Sequence, residues 1–147
     1  MRCPAGEENI LAVSDAPLPT RRQGPFRDQG KLFRSNEIGV QNSIDPFYIE
    51  ENGEKYLFWG SFRGIYYIEL SEDGLHIRPG AKPTQIAGTA YEALYVHKKG
   101  KYYYLFASIG SCCQGEKSTY TTVVGRSESL FGPYMDKNGN SMLDNHH

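Results

Sequence analysis

The sequence predicts an all-β chain built from repeating four-stranded units, an arc of a β-propeller. Three observations predict it. An Asn52-Gly53 pair sits between two runs rich in aromatic and β-branched residues, which is a strong short-range hairpin signal. No segment shows sustained 3.6-residue apolar spacing with helix caps. A shift of 47 positions lays the stretch from Asp45 on the stretch from Glu92, so that Tyr48 meets Tyr95, Gly53 meets Gly100, Tyr56 meets Tyr103 and Ser61 meets Ser108. Four-stranded units that recur every ~40–50 residues are the mark of propeller blades.

The elements follow in order. Residues 1–30 are turn-rich, with Pro4, Pro17, Pro19 and Pro25 among Gly6, Gly24 and Gly30. Within them, Ile10-Leu11-Ala12-Val13 reads as one short strand followed by irregular chain. Residues 46–49 and 55–59 flank the Asn-Gly turn as a hairpin. A third strand is expected over 64–70, then a Ser71-Glu72-Asp73-Gly74 turn and a short fourth strand at 75–78. Residues 91–97 and 101–107 flank a Lys98-Lys99-Gly100 turn and repeat the hairpin. A polar loop over 110–117 leads to a β-branched strand at 118–125, and a last strand is expected over 127–134 near the Gly132-Pro133 breaker. A second echo sets Gly24-Pro25-Phe26-Arg27 against Gly132-Pro133-Tyr134-Met135. The chain therefore divides into the end of a first blade with linker (1–40), a blade (41–88), a second blade (89–143) and a truncated end (144–147).

Composition narrows the function. Lys plus Arg is 16 and Asp plus Glu is 17, for a net charge of −1, so there is no basic footprint for nucleic acid; Arg21-Arg22 is a short solvated pair. No apolar run reaches the ~18 residues that span a bilayer, so no membrane partner is expected. The opening residues carry no apolar stretch of the kind a signal peptide needs. Three cysteines, Cys3, Cys112 and Cys113, make no disulfide framework. They match neither a thiol-nucleophile arrangement nor, with His97 or His146-His147, a zinc spacing, and they read as buried or loop residues.

The repeat gives the acids their meaning. In a propeller the first strand of each blade lines the central channel, and equivalent positions of neighbouring blades face one another there. Asp45 and Glu92 hold equivalent positions at the start of their units, so both are expected to point into one axial pocket. Paired carboxyls serve glycoside hydrolysis, in which one acid must keep a proton for the leaving oxygen. Burial and a neighbouring negative charge both favour that protonated form, so Asp45 would tune Glu92. Trp59 reads as a core residue rather than a sugar platform, and Tyr95 and Tyr102 to Tyr104 as packing between blades.

These motifs carry a family resemblance. Asn42-Ser43-Ile44-Asp45-Pro46, Leu57-Phe58-Trp59-Gly60-Ser61-Phe62-Arg63-Gly64-Ile65 and Tyr91-Glu92-Ala93 resemble the five-bladed propeller glycosidases of glycoside hydrolase family 43. Tyr103 to Ser108, Cys112-Cys113-Gln114-Gly115, Ser118-Thr119-Tyr120, Val124-Gly125-Arg126-Ser127 and Gly132-Pro133-Tyr134 look like its endo-α-1,5-L-arabinanase branch. The resemblance implies inverting hydrolysis of α-L-arabinofuranosyl linkages in arabinan or a related plant polysaccharide. It implies Glu92 as general acid and Asp45 as pKa modulator, with Ser43, Ile44, Ser61, Phe62 and Ser108 along the sugar channel. The family's general base is an Asp in an Asp-Pro motif near the start of the catalytic domain, and neither Asp15 nor Asp28 fits it.

At about 47 residues per unit, five blades need some 235 residues. The chain therefore reads as a partial propeller that is poorly active by itself. It is expected either to dock with missing blades or to self-associate through open sheet edges. No cofactor is expected in this chain, although the full-length family fold allows a metal ion in its channel. Relatives in the family are commonly extracellular or periplasmic. The alternative function is a non-catalytic carbohydrate-binding remnant. A protein-interaction arc ranks third, because it leaves the matched acids unexplained.

Overall fold

The computed structural model describes Ile10–Ser14 and residues 28–147. Cys3, Asp15, Arg21, Arg22 and the echo at 24–27 lie outside the described residues. Nine strands form three antiparallel sheets among the described residues: β1 (Ile10–Ser14) with β2 (Asp28–Arg34); β3 (Phe47–Glu51), β4 (Glu54–Trp59), β5 (Ile65–Glu69) and β6 (Thr84–Ala87); and β7 (Glu92–Lys99), β8 (Tyr102–Ile109) and β9 (Thr121–Ser127). Among the described residues, helix is confined to one turn, α1 (Ser35–Ile38), and two 3-10 turns. The expected all-β partial propeller is what the chain forms.

The middle sheet is buried on both faces, and its alternating side chains divide accordingly. Leu57 and Trp59 of β4, with Ile68 of β5, pack with Phe33 of β2 and with Val40 and Leu70. Phe58, Ile65 and Ile86 turn the other way, against Leu94, Val96, Tyr103, Leu105 and Ala107 of the third sheet. Trp59 is fully buried, its ring 5.1 Å from Phe33, so it belongs to the core as expected. Tyr103 is also core, whereas Tyr95 is half exposed and meets the preceding sheet only through an edge contact with Phe47 at 5.1 Å.

Both hairpins form. Glu51 pairs with Glu54 around Asn52 and Gly53, whose φ values of 55° and 85° suit the tight turn that matches strand twist. In the second hairpin Lys99 pairs with Tyr102, one residue beyond the positions that the 47-residue shift gives. Gly100, with φ 61°, takes the first loop position there instead of the second, so the repeat slips by one residue at its turn.

Three strands differ from expectation. Strand β2 forms where irregular chain was expected. Its only large apolar residues are Leu32 and Phe33, and pairing with β1 rather than intrinsic propensity makes it extended. The fourth strand of the middle sheet is β6, not residues 75–78. The 75–78 stretch instead closes a turn, in which Ser71 N donates to His76 O at 2.8 Å and the Asp73 carboxylate accepts from Leu75 N at 2.9 Å. Beyond Ser127, the last residue of β9, residues 128–134 form turns and irregular chain rather than a strand. Ser127 Oγ accepts from Ser129 N at 3.0 Å and Ser129 Oγ from Phe131 N at 3.1 Å, so side chains take the amides that a ladder would need. Only Met135 bridges to Arg126 and Ser141.

The last residues return to the junction between the second and third sheets. Gly88 N donates to Met142 O at 2.9 Å, Ala90 N to Asn145 Oδ1 at 2.9 Å, and Tyr91 OH to His146 O at 2.7 Å. Burial, helped by the charge of Asp136, pushes the Tyr91 phenol up to about 12, which keeps it a hydrogen-bond donor. This clasp fixes the residue just before Glu92.

Candidate active site

The site forms where the 60–64 loop of the middle sheet meets the start of β7. Gly60, Phe62 and Gly64 all take positive φ, at 142°, 50° and 98°. A Cβ on Gly60 would run into the Gly64 carbonyl, so the loop closes on itself only with glycine there. Three hydrogen bonds then pin it: Gly60 N to Ile44 O at 3.0 Å, Asn42 Nδ2 to Ser61 O at 2.9 Å, and Phe62 N to Tyr91 O at 2.8 Å. Ser61 thereby bridges to Glu92, and its hydroxyl donates to Glu92 Oε2 at 2.7 Å. A neutral donor at that distance holds one carboxyl oxygen in a fixed direction.

Asp45 lies just before β3 in the left-handed region, φ 57°, a conformation that Asp tolerates better than most residues. The Ala93 amide lies near enough to favour its charged form, which sets Asp45 beside the residue after Glu92. Burial first, and the charge of Glu92 second, raise the Asp45 carboxyl above its ordinary value, while the Ala93 hydrogen bond pulls it back. Asp45 therefore keeps its proton to higher pH than a free carboxyl does.

Ser108 is the cross-strand partner of Glu92 in the β7–β8 register. Tyr120 completes the group. Its phenol is raised first by burial; Ser108 opposes the rise and Glu92 and Asp45 add to it, which places Tyr120 within reach of both acids. In the sequence Tyr120 stands out only as part of the Ser118-Thr119-Tyr120 motif, without a role of its own. It lies just before β9, in which Thr122 pairs with Ser108.

Asp45, Glu92, Ser61, Phe62 and Ser108 are thus brought to one place, and Ile44 joins them through its backbone carbonyl. Ser43 is not brought there. It is 1% exposed, and its hydroxyl donates to Val40 O at 2.8 Å while accepting Trp59 Nε1–H at 3.1 Å. The motif position that suggested a sugar contact is taken up in holding the core tryptophan. Cys112 and Cys113 are exposed loop residues, not buried ones.

Among the described residues, no three His, Cys, Asp or Glu side chains converge to hold a metal ion. No helix among the described residues is long and apolar enough to cross a membrane. What the site offers is a carboxyl pair beside three hydroxyls, the equipment for moving a proton to or from a polyhydroxylated ligand.

Comparison with known proteins agrees. The model of the glycosyl hydrolases family 43 matches residues 2–147. The extracellular endo-α-(1→5)-L-arabinanase 1 of Bacillus subtilis is 36% identical over 143 residues, which cover 92% of this chain and 44% of that protein. The extracellular exo-α-(1→5)-L-arabinofuranosidase ArbA of Cellvibrio japonicus is 38% identical over 137 residues, 80% of this chain and 39% of that protein. The structure of Cellvibrio cellulosa α-L-arabinanase complexed with arabinohexaose superposes with a TM-score of 0.79 at 31% identity, over 92% of this chain and 50% of that one. The chain spans about half the length of the relatives it matches, or slightly less.

Proposed function

Because the chain belongs to glycosyl hydrolase family 43, we propose that it forms part of an arabinan-hydrolysing propeller, with Glu92 as the proton donor to the leaving oxygen and Asp45 as the modulating neighbour. Its units 41–88 and 89–143 meet at the site. Ser61 orients the Glu92 carboxyl, Tyr120 stands within its electrostatic reach, and Phe62, Ile44 and Ser108 bound the space for a sugar. The attack is inverting, by a water whose activating base is none of the residues described above. The substrate is an arabino-oligosaccharide or arabinan, met outside the cell, as the names of the two extracellular relatives support.

The observation that carries the proposal is the hydrogen bond from Ser61 Oγ to Glu92 Oε2 across two sheets, with Asp45 near enough for the Glu92 charge to act on it. The test is sugar release from linear arabinan by wild type and Glu92→Gln, each placed within a complete propeller, with oligosaccharide binding followed by calorimetry. Loss of the proton donor should lower release by about 10²–10⁴-fold and leave binding largely intact. Equal release by the two proteins would remove Glu92 from the role.

A carbohydrate-binding arc without turnover is the second reading. One observation favours it: among the described residues, Glu92 is the sole carboxylate whose charge acts on Asp45. Binding of arabino-oligosaccharide by wild type with no release would select this reading. Absence of binding would refute both.

A further inference from the structure

We propose that Cys112 and Cys113 form a redox-active vicinal dithiol, closing to a disulfide between adjacent residues in exchange with a small-molecule disulfide. Neither the family likeness nor the proposed hydrolysis assigns these residues a role, and the proposal stands apart from the arabinan reading. The two thiols are exposed, and their sulfur atoms lie 2.8 Å apart, less than about 1 Å beyond the ~2.05 Å of a formed bond.

The loop that carries them is closed at its neck. Thr119 N donates to Ser111 O at 3.0 Å and Ser111 N to Thr119 Oγ1 at 3.1 Å. Inside the neck, Gln114 Nε2 donates to Ser111 Oγ at 2.8 Å and Gln114 N to Ser118 Oγ at 3.0 Å. Cys113 takes the left-handed conformation, φ 66°, which turns the chain back between the two side chains. The loop therefore brings the thiols together before any bond forms.

A disulfide between neighbours has to span Cα atoms only ~3.8 Å apart, inside the usual ~4.4–6.8 Å. Such a bond is readily reduced, which suits a reversible rather than a structural bridge. The exchange balances. One sulfur, as thiolate, attacks glutathione disulfide and releases one glutathione. The second thiol, on losing its proton, then displaces the other glutathione. Two S–H bonds and one S–S bond are lost, and one S–S and two S–H bonds are made. The Cys112 thiol is pushed up first by its hydrogen bond to Cys113, with the charge of Glu92 contributing, so the pair sits within electrostatic reach of the candidate acid.

The test uses the reduced full chain in glutathione buffers of graded ratio, with free thiols then alkylated and the peptides mapped. The peptide containing Cys112 and Cys113 should lose two hydrogens and resist alkylation. It should do so equally in a Cys3→Ser variant. Repeating the series in strong urea measures what the loop contributes. The fraction oxidised at a given ratio, expressed as an equilibrium constant, should be at least about tenfold larger in the folded chain, because both thiols start in register. Four results would overturn the proposal: thiols that stay alkylatable at every ratio, a persistent glutathione adduct on one sulfur, a bridge to Cys3, or an equilibrium no more favourable in the folded chain than in urea.

Discussion

Gly60→Ala probes how the sequence fixes the active-site loop. The new Cβ meets the Gly64 carbonyl, a backbone atom that cannot swing aside, at a position with φ 142°. Backbone strain at such a position costs about 1–3 kcal/mol, and a forced overlap in a packed region about 1–3 kcal/mol more. Gly80 supplies the internal control, because its φ is 84° but nothing lies within 4 Å of a Cβ placed there. Gly80→Ala thus bears only the conformational part. The assay is urea unfolding of wild type and the two variants. With a total of about 4 kcal/mol and a slope near 2 kcal/mol per molar, Gly60→Ala should lower the midpoint by roughly 2 M. Gly80→Ala should lower it by about half of that, roughly 1 M. If both variants lose the same stability, the close approach of the 60 and 64 backbones is not what shapes the loop, and the reasoning that places Ser61 on Glu92 fails.

Other outcomes follow from the same structure. Ser43→Ala leaves the fully buried Trp59 Nε1–H without its acceptor and should cost about 1–3 kcal/mol in chemical unfolding, a loss that would not appear if water replaced the hydroxyl. Asp45→Asn keeps a residue suited to φ 57° and an oxygen for the Ala93 amide, but it removes the charge. The folded Asp45 holds its proton more tightly than the unfolded chain does. Its contribution is therefore fully present below the unfolded value of 3.8 and is lost as pH rises through the raised folded value. The variant should match wild type in melting temperature at low pH and exceed it at neutral pH. A pH-independent difference would count against a raised Asp45.

Much of the architecture was legible in the sequence, because turns and alternation are local signals. Asn52-Gly53 placed one hairpin and Gly100 the other. The matched positions of Asp45 and Glu92 predicted two acids in one place. What was missed depends on distant chain. Strand β2 is extended because β1 lies beside it, and β6 replaces residues 75–78 because hydroxyls and a carboxylate capture the amides of the intervening turn. The equal period could not show that the second hairpin slips by one residue at Gly100. Ser43 looked like a ligand contact within the Asn42-to-Pro46 motif, yet its hydroxyl is taken up by Val40 O and Trp59 Nε1–H in the core. Tyr120 was legible only as part of a motif, because its place near Ser108 depends on the pairing of β8 with β9 across the intervening loop.

Titrating the Asp45 carboxyl by carbon-detected NMR, in wild type and in Glu92→Gln, measures the coupling of the two acids at its source. The Asp45 signal should titrate above 3.8 in wild type. It should move part of the way back in the variant, since burial is the larger cause and the Glu92 charge the smaller. An Asp45 that titrates at 3.8, or one that does not respond to the loss of Glu92's charge, would contradict a shared acid site across the two sheets.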